Sequence, residues 1–199
     1  SIDIDIAGFR RLIGNRNIKI IPSIDDFHST DGYRHHSIEF LRGVFSNWWH
    51  QGADGVQTFN FNPWPAFQPQ ALFEIGDPEG MRFKDKLFVL QRRYGEGSGL
   101  HFGDFYQGCN SQAPLPAVLP ADGMPAYFLL YIADDLAGNS PRIKNVELRI
   151  WLCGPTAEEE IILAKINGVQ QKPGSWSPDL LSQHGELLPY TKKKPPEIP

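Results

Sequence analysis

The sequence is poor in the features that mark several large classes of protein. It has two cysteines, Cys109 and Cys153, with no CxxC spacing, so it encodes neither a disulfide framework nor a zinc site. The two thiols could pair in an oxidising compartment or stay free. No apolar run reaches the ~20 residues of a membrane helix, and no membrane partner is expected. The stretch at Ser1 lacks the zones of a secretory leader, which carries weight only for a chain that starts there. Net charge is −4, and no basic stripe is present. Nucleic acid is therefore not an expected partner, because binding it takes clustered Lys and Arg to displace counterions. Lys192, Lys193 and Lys194 form the single basic cluster, beside Pro195 and Pro196 and without aromatic neighbours, and read as a solvated tail. G-x-S-x-G, P-loop and dinucleotide signatures are missing, and no cofactor is expected. There is no internal repeat and no low-complexity tract.

What is present suits a soluble globular chain. The 199 residues are 41% hydrophobic and 21% charged, enough for one sizeable domain or two small ones at ~100–200 residues each. Five Trp and thirteen Phe serve equally well in a core or on a sugar-binding surface.

Two textures divide the chain. In residues 1–98 helical and strand patterns alternate. Ile6, Phe9, Leu12 and Ile13 recur at helical spacing up to Gly14–Asn15. Residues 18–21 read as a short buried strand ended by Pro22, followed by a loop through Asp25, Asp26, His28 and Asp31. A helix over 35–51 carries an apolar stripe of Ile38, Leu41, Phe45, Trp48 and Trp49, with Gly52 at its C-terminal cap. Residues 55–61 form a second strand, broken by Pro63 and Pro65. A last helix starts with Asp77 as N-cap and Pro78 in the first turn, buries Phe83, Leu87 and Leu90, and ends at Tyr94–Gly95. Two strands joined by such a helix are expected to be parallel. Alone they cannot cover their faces, so further strands are expected from elsewhere.

Residues 99–182 switch to period two. Tyr127 to Ile132 and Val146 to Leu152 alternate, and 161–166 reads as a strand running into Asn167–Gly168, a strong hairpin signal, with Val169–Gln171 returning. Strands without intervening helices predict an antiparallel β-sandwich. Residues 183–199 form a Pro/Lys-rich tail.

Residues 42–61 carry a resemblance. Arg42-Gly43, Asn47, the turn Gly52-Ala53-Asp54-Gly55 and then Phe59-Asn60-Phe61 resemble the final βα units of glycosidase-like (β/α)8 barrel proteins, a group related to hypothetical glycosyl hydrolases of bacteria. The resemblance implies a fold class of α/β plus all-β: the last two βα units of a barrel, then the sandwich. It makes 17–25 the seventh strand, the strand after the Gly-Ala-Asp-Gly turn the eighth, and 78–94 the eighth helix, with that turn on the barrel's N-terminal face. It also implies a carbohydrate ligand, a secreted or periplasmic location, and an upstream segment or second chain that completes the barrel. The first six units lie outside this sequence, so none of their catalytic residues carries over.

Barrel active sites lie at the C-terminal ends of the strands. That singles out Asp25 and Asp26 as candidate catalytic carboxylates, and His28, Asn60, Asn62 and Trp64 as candidate substrate-binding residues. Glycoside hydrolysis uses two carboxyls flanking the scissile bond. Adjacent residues of an extended chain point to opposite sides, so Asp25 and Asp26 do not form that pair by themselves. One could act with a group from a missing strand, or both could serve the loop. Trp64, between two prolines, could stack on a sugar ring or pack the loop. Asn60 and Asn62 could bind hydroxyls or satisfy backbone groups. Trp48 and Trp49 are core residues by their helical position. His28, Asp31, His35 and His36 lack a ligand spacing, and no metal site is expected. His101, Asp104 and Ser111 form no recognisable triad. Two functions remain open: part of a glycoside hydrolase, or a non-catalytic module that binds carbohydrate or protein.

Overall fold

A computed structural model of the chain describes residues 2–25, 33–34, 37–59, 61, 68–91, 114–115, 117, 119–120, 122–150, 163–171 and 186–187. The elements are α1 (Ile6–Ile13), β1 (Ser23–Asp25), β2 (Tyr33–Arg34), α2 (Ile38–His50), β3 (Gln57–Phe59), α3 (Gln68–Ile75), α4 (Pro78–Met81), a 3-10 turn (Ser140–Arg142), β4 (Lys165–Ile166), β5 (Val169–Gln170) and β6 (Glu186–Leu187). β1 pairs in parallel with β3; β2 with β6 and β4 with β5 pair antiparallel.

α2 is the centre of the molecule. Ser37 caps it by accepting a hydrogen bond from the Phe40 N–H at 3.2 Å, and Glu39 suits its positive end. It stops where Gly52 takes φ of 92°, a conformation that costs a Cβ-bearing residue. Every residue from Phe40 to Phe45 is buried. A helix apolar or covered all round lies inside a fold and not on its surface. Phe45 and Trp48 meet edge to face at 4.8 Å, and the core closes with Ile2, Ile6, Ile24, Ala71, Ile75 and Met81. The two indoles behave as core residues with a satisfied polar end. Trp48 Nε1 donates to the Ile2 carbonyl at 3.1 Å and Trp49 Nε1 to the Ile75 carbonyl at 2.8 Å.

Among the described residues there is no barrel and no β-sandwich, which corrects the expected fold class. The parallel pairing of the two strands is observed, but each is three residues long. The first begins after Pro22 and not before it. Proline lacks only its N–H; its carbonyl is free to accept, and Pro22 O takes the Gln57 N–H at 2.9 Å. The alternating segments around 127–132 and 146–150 form no strand. Tyr127 and Leu129, on one face, are 88% and 91% exposed, and Phe128 and Ile132, on the other, are 42% and 38% exposed, so neither face of that segment is fully covered. Period two produced extended chain without a ladder. The hairpin is observed: β4 and β5 face each other across Asn167 and Gly168, both at positive φ.

The helices also need correction. α1 has the expected bounds, yet Phe9 and Leu12 are exposed and only Ile6 of that helix is buried. α4 ends at Met81, far short of residue 94. Beyond it residues 85–91 run extended against α2, with the Leu87 N–H donating to Glu39 O at 2.9 Å. Gly43 permits that approach: a Cβ there would collide with the Leu87 carbonyl group, 2.8 Å from its carbon. Of the three residues expected to line the helix's buried face, Leu87 packs against the core and Phe83 is exposed. α3 has no counterpart in the sequence reading.

Candidate functional site

The parallel pair has two ends of different character. At its amino-terminal end the Gly52-Ala53-Asp54-Gly55 turn is fastened to α1 and to residues 18–20. Asp54 N–H donates to Ile20 O at 2.9 Å, and the Asp54 carboxylate accepts from the Ile20 N–H at 2.8 Å. Arg10 donates to that carboxylate and also to the Gly52 carbonyl, and Lys19 Nζ lies 3.3 Å from it. These donors, the Ile20 amide foremost, lower the Asp54 pKa from 3.8 to about 2. A carboxylate saturated by donors on one turn is a staple.

At the carboxyl end, Asp25 is the register partner of Phe59. The chain therefore leaves β1 and β3 side by side, at the edge where open parallel sheets bind ligands. Asp25 closes β1 there; Asp26, His28, Asn60, Asn62 and Trp64 lie outside the described residues, as do Asp31, His35, His36, His101, Asp104, Ser111, Cys109 and Cys153. Phe61, between the two asparagines in sequence, packs against the core. Among the described residues no three of His, Cys, Asp and Glu converge as a metal site, and no helix is long and apolar enough to cross a membrane.

A charged cluster behind α2 escaped the sequence reading. Arg42 Nε donates to Glu74 Oε2 at 2.6 Å, while Lys84 Nζ and Gln70 Nε2 each reach Oε1 at 2.7 Å. Arg42 Nη1 also donates to Asp85 O at 3.2 Å. Arg42 and Glu74 are 9% and 6% exposed. The hydrogen bond from Arg42, with those from Lys84 and Gln70, overrides burial and lowers the Glu74 pKa from 4.5 to about 2. This is the wrong direction for a general acid, whose carboxyl must hold a proton near neutral pH. The cluster joins α2, α3 and the segment after α4. The signal available in the sequence is a lone Arg on an apolar helix; its close counter-ion Glu74, 32 positions away, is not deducible.

A second polar contact ties the later part of the chain to α2. Asn47 Nδ2 donates to Tyr131 O at 3.0 Å and Asn47 Oδ1 accepts from Ala133 N–H at 2.9 Å, as a neighbouring strand would. Lys86, its side chain 3% exposed, pairs with Asp134 at 3.0 Å and donates to Arg82 O at 3.0 Å.

No known protein family matches the chain, and no curated protein matches it.

Proposed function

We propose that the chain is the C-terminal portion of a glycoside-hydrolase-like protein and contributes to a carbohydrate site at the carboxyl edge of β1 and β3. The observation that supports this is the parallel register ending at Asp25 and Phe59. That register ends β1 and β3 side by side, and the sequence that follows each, Asp26 to His28 and Asn60 to Trp64, carries side chains suited to sugar hydroxyls and ring faces. In this reading one carboxylate of Asp25 and Asp26 faces the glycosidic bond. Its partner comes from a strand outside this sequence, because one position cannot supply both carboxyls at the spacing that the reaction needs. Asn60, Asn62 and His28 bind hydroxyls, and Trp64 stacks on a pyranose face. A pair of three-residue parallel strands is too small a sheet to stand alone, which favours additional strands from an upstream segment or a second chain. Export to the periplasm or outside the cell accompanies this reading.

The test is hydrolysis and binding of an oligosaccharide panel by the longest natural form of the protein, with Asp25→Asn, Asp26→Asn and Trp64→Ala. One Asp variant should lose turnover while keeping binding, and Trp64→Ala should weaken binding. Turnover unchanged in both Asp variants overturns the catalytic assignment.

A non-catalytic binding module is the second reading. Among the described residues the carboxyls with a clear shift, Asp54 and Glu74, are both lowered, so neither is poised to donate a proton, which is compatible with this reading. Binding without turnover, insensitive to Asp25 and Asp26, is its signature.

A further inference from the structure

We propose that Asn167 is a site of spontaneous covalent modification, converting from asparagine to aspartate and isoaspartate through a cyclic imide. The backbone nitrogen of Gly168 loses its proton and attacks the side-chain amide carbon of Asn167. A C–N bond to Gly168 forms, the C–NH2 bond breaks, and ammonia leaves with the proton. Water then opens the five-membered imide at either carbonyl. The sum is asparagine plus water giving acid plus ammonia, with no change of oxidation state.

Three observations place the reaction here. Of the chain's asparagines, at 15, 17, 47, 60, 62, 110, 139, 145 and 167, Asn167 alone is followed by glycine. Gly168 presents no side chain to shield its nitrogen, and the space where a Cβ would stand is empty to 4 Å. The site is also open: residues 165–170 are all exposed, and the hairpin is held by two pairs, Lys165 with Gln170 and Ile166 with Val169, extended by Gln171 N–H donating to Ala164 O at 2.9 Å. So short a two-stranded hairpin opens readily, which lets the Asn167 backbone leave its φ of 49° and reach the attack geometry. Asn139 differs on each count. Ser140 follows it, and its side-chain amide is engaged with Asp135 O at 2.8 Å.

The two products act differently on the fold. Aspartate keeps the turn, since Asp-Gly suits the same two-residue loop as Asn-Gly, and adds a negative charge near Lys165. Isoaspartate adds a methylene to the main chain inside a loop whose length fixes the register, so it unpairs β4 from β5.

The experiment incubates the full chain at mildly alkaline pH and follows each asparagine by peptide mass mapping, with isoaspartyl methyltransferase labelling as a second readout. The peptide holding Asn167, which begins after Lys165, should gain the amide-to-acid mass first and take the methyl label. Asn167→Gln, which would need a six-membered ring, should lose both signals there. Conversion of the peptides holding Asn110 or Asn139 ahead of Asn167, or undiminished conversion in Asn167→Gln, overturns the proposal.

Discussion

Removing Glu74 while keeping Arg42 tests whether the cluster behind α2 is a buried charge network. In Glu74→Leu the guanidinium retains the Asp85 carbonyl at 3.2 Å and the Glu39 carboxylate at 3.9 Å, but loses its close counter-ion. Lys84, 39% exposed along its side chain, can turn to water; Arg42, at 11%, cannot. Stripping one partner from a buried pair costs ~3–5 kcal/mol because the other charge stays buried and uncompensated. The wet side of the cluster at Lys84 argues for the lower end, about 3 kcal/mol. At ~2–4 °C per kcal/mol for a chain of this size, the midpoint should fall by ~6–12 °C. Arg42→Met combined with Glu74→Leu replaces the pair by apolar groups of similar volume and should recover most of that loss. Thermal and urea unfolding of the wild type, Glu74→Leu, Arg42→Met and the double variant, followed by far-UV circular dichroism, closes the double-mutant cycle. A Glu74→Leu cost under ~1 kcal/mol, the scale of an exposed pair, or simple additivity of the two changes, would refute burial as the cause.

The remaining predictions use the same geometry. Asp54 and Glu74 have folded pKa values lowered from 3.8 and 4.5 to about 2, so their contribution is fully present above the unfolded values and is lost as pH falls through about 2. Acid titration of the midpoint should therefore steepen between these limits, and Asp54→Asn with Glu74→Gln should flatten that slope. Gly43→Ala gains ~1 kcal/mol of helix propensity but drives a methyl into the Leu87 carbonyl group; overpacking of ~1–3 kcal/mol should win, with a lower midpoint and faster amide exchange at Leu87. Asn47→Ala removes two hydrogen bonds to the backbone at 131 and 133, worth ~0.5–1.5 kcal/mol each. Trypsin should then cut at Arg142, Lys144 or Arg149 sooner, while cleavage within α2 stays unchanged; equal rates at all sites would remove Asn47 from its anchoring role.

Local chemistry was readable where one residue type dictates one conformation. Gly14 and Gly52 mark the ends of α1 and α2 at positive φ, and Asn167–Gly168 fixes the hairpin. The N-caps Asp5, Ser37 and Asp77 accept from the first turns of their helices, and Asp77 before Pro78 is legible as a cap in the sequence. Extent was not readable, because tertiary contacts set it. The periodic pattern continued past Met81, but Lys84 and the Asp85 carbonyl are engaged by Glu74 and Arg42, which draw that segment off the helical path and across Gly43. α3 gives little signal in sequence: Pro69 is tolerated in its first turn but follows Pro63 and Pro65, and prolines so spaced mark no helix. The alternation at 127–132 misled for a different reason: period two states that a segment can be extended and says nothing about whether another strand lies beside it.

The same reasoning separates motif from site. The Gly-Ala-Asp-Gly turn is one part of the resemblance, and its Asp54 is held ionised by an amide and two cations at the amino-terminal end of the pair. Glu74 is held ionised behind α2. A carboxyl stabilised in that way has no proton to give near neutral pH, so proton transfer in the proposed site must fall to a group outside both clusters. In the proposed reading that group is Asp25 or Asp26, and Asp25 closes β1 at the end of the pair opposite the staple. Charge reversal at Asp54 should therefore damage folding and leave the chemistry of the surviving folded fraction intact, whereas loss of the working carboxylate at 25 or 26 should do the converse. Activity per folded molecule, not total activity, distinguishes a residue that builds the edge from one that works on it.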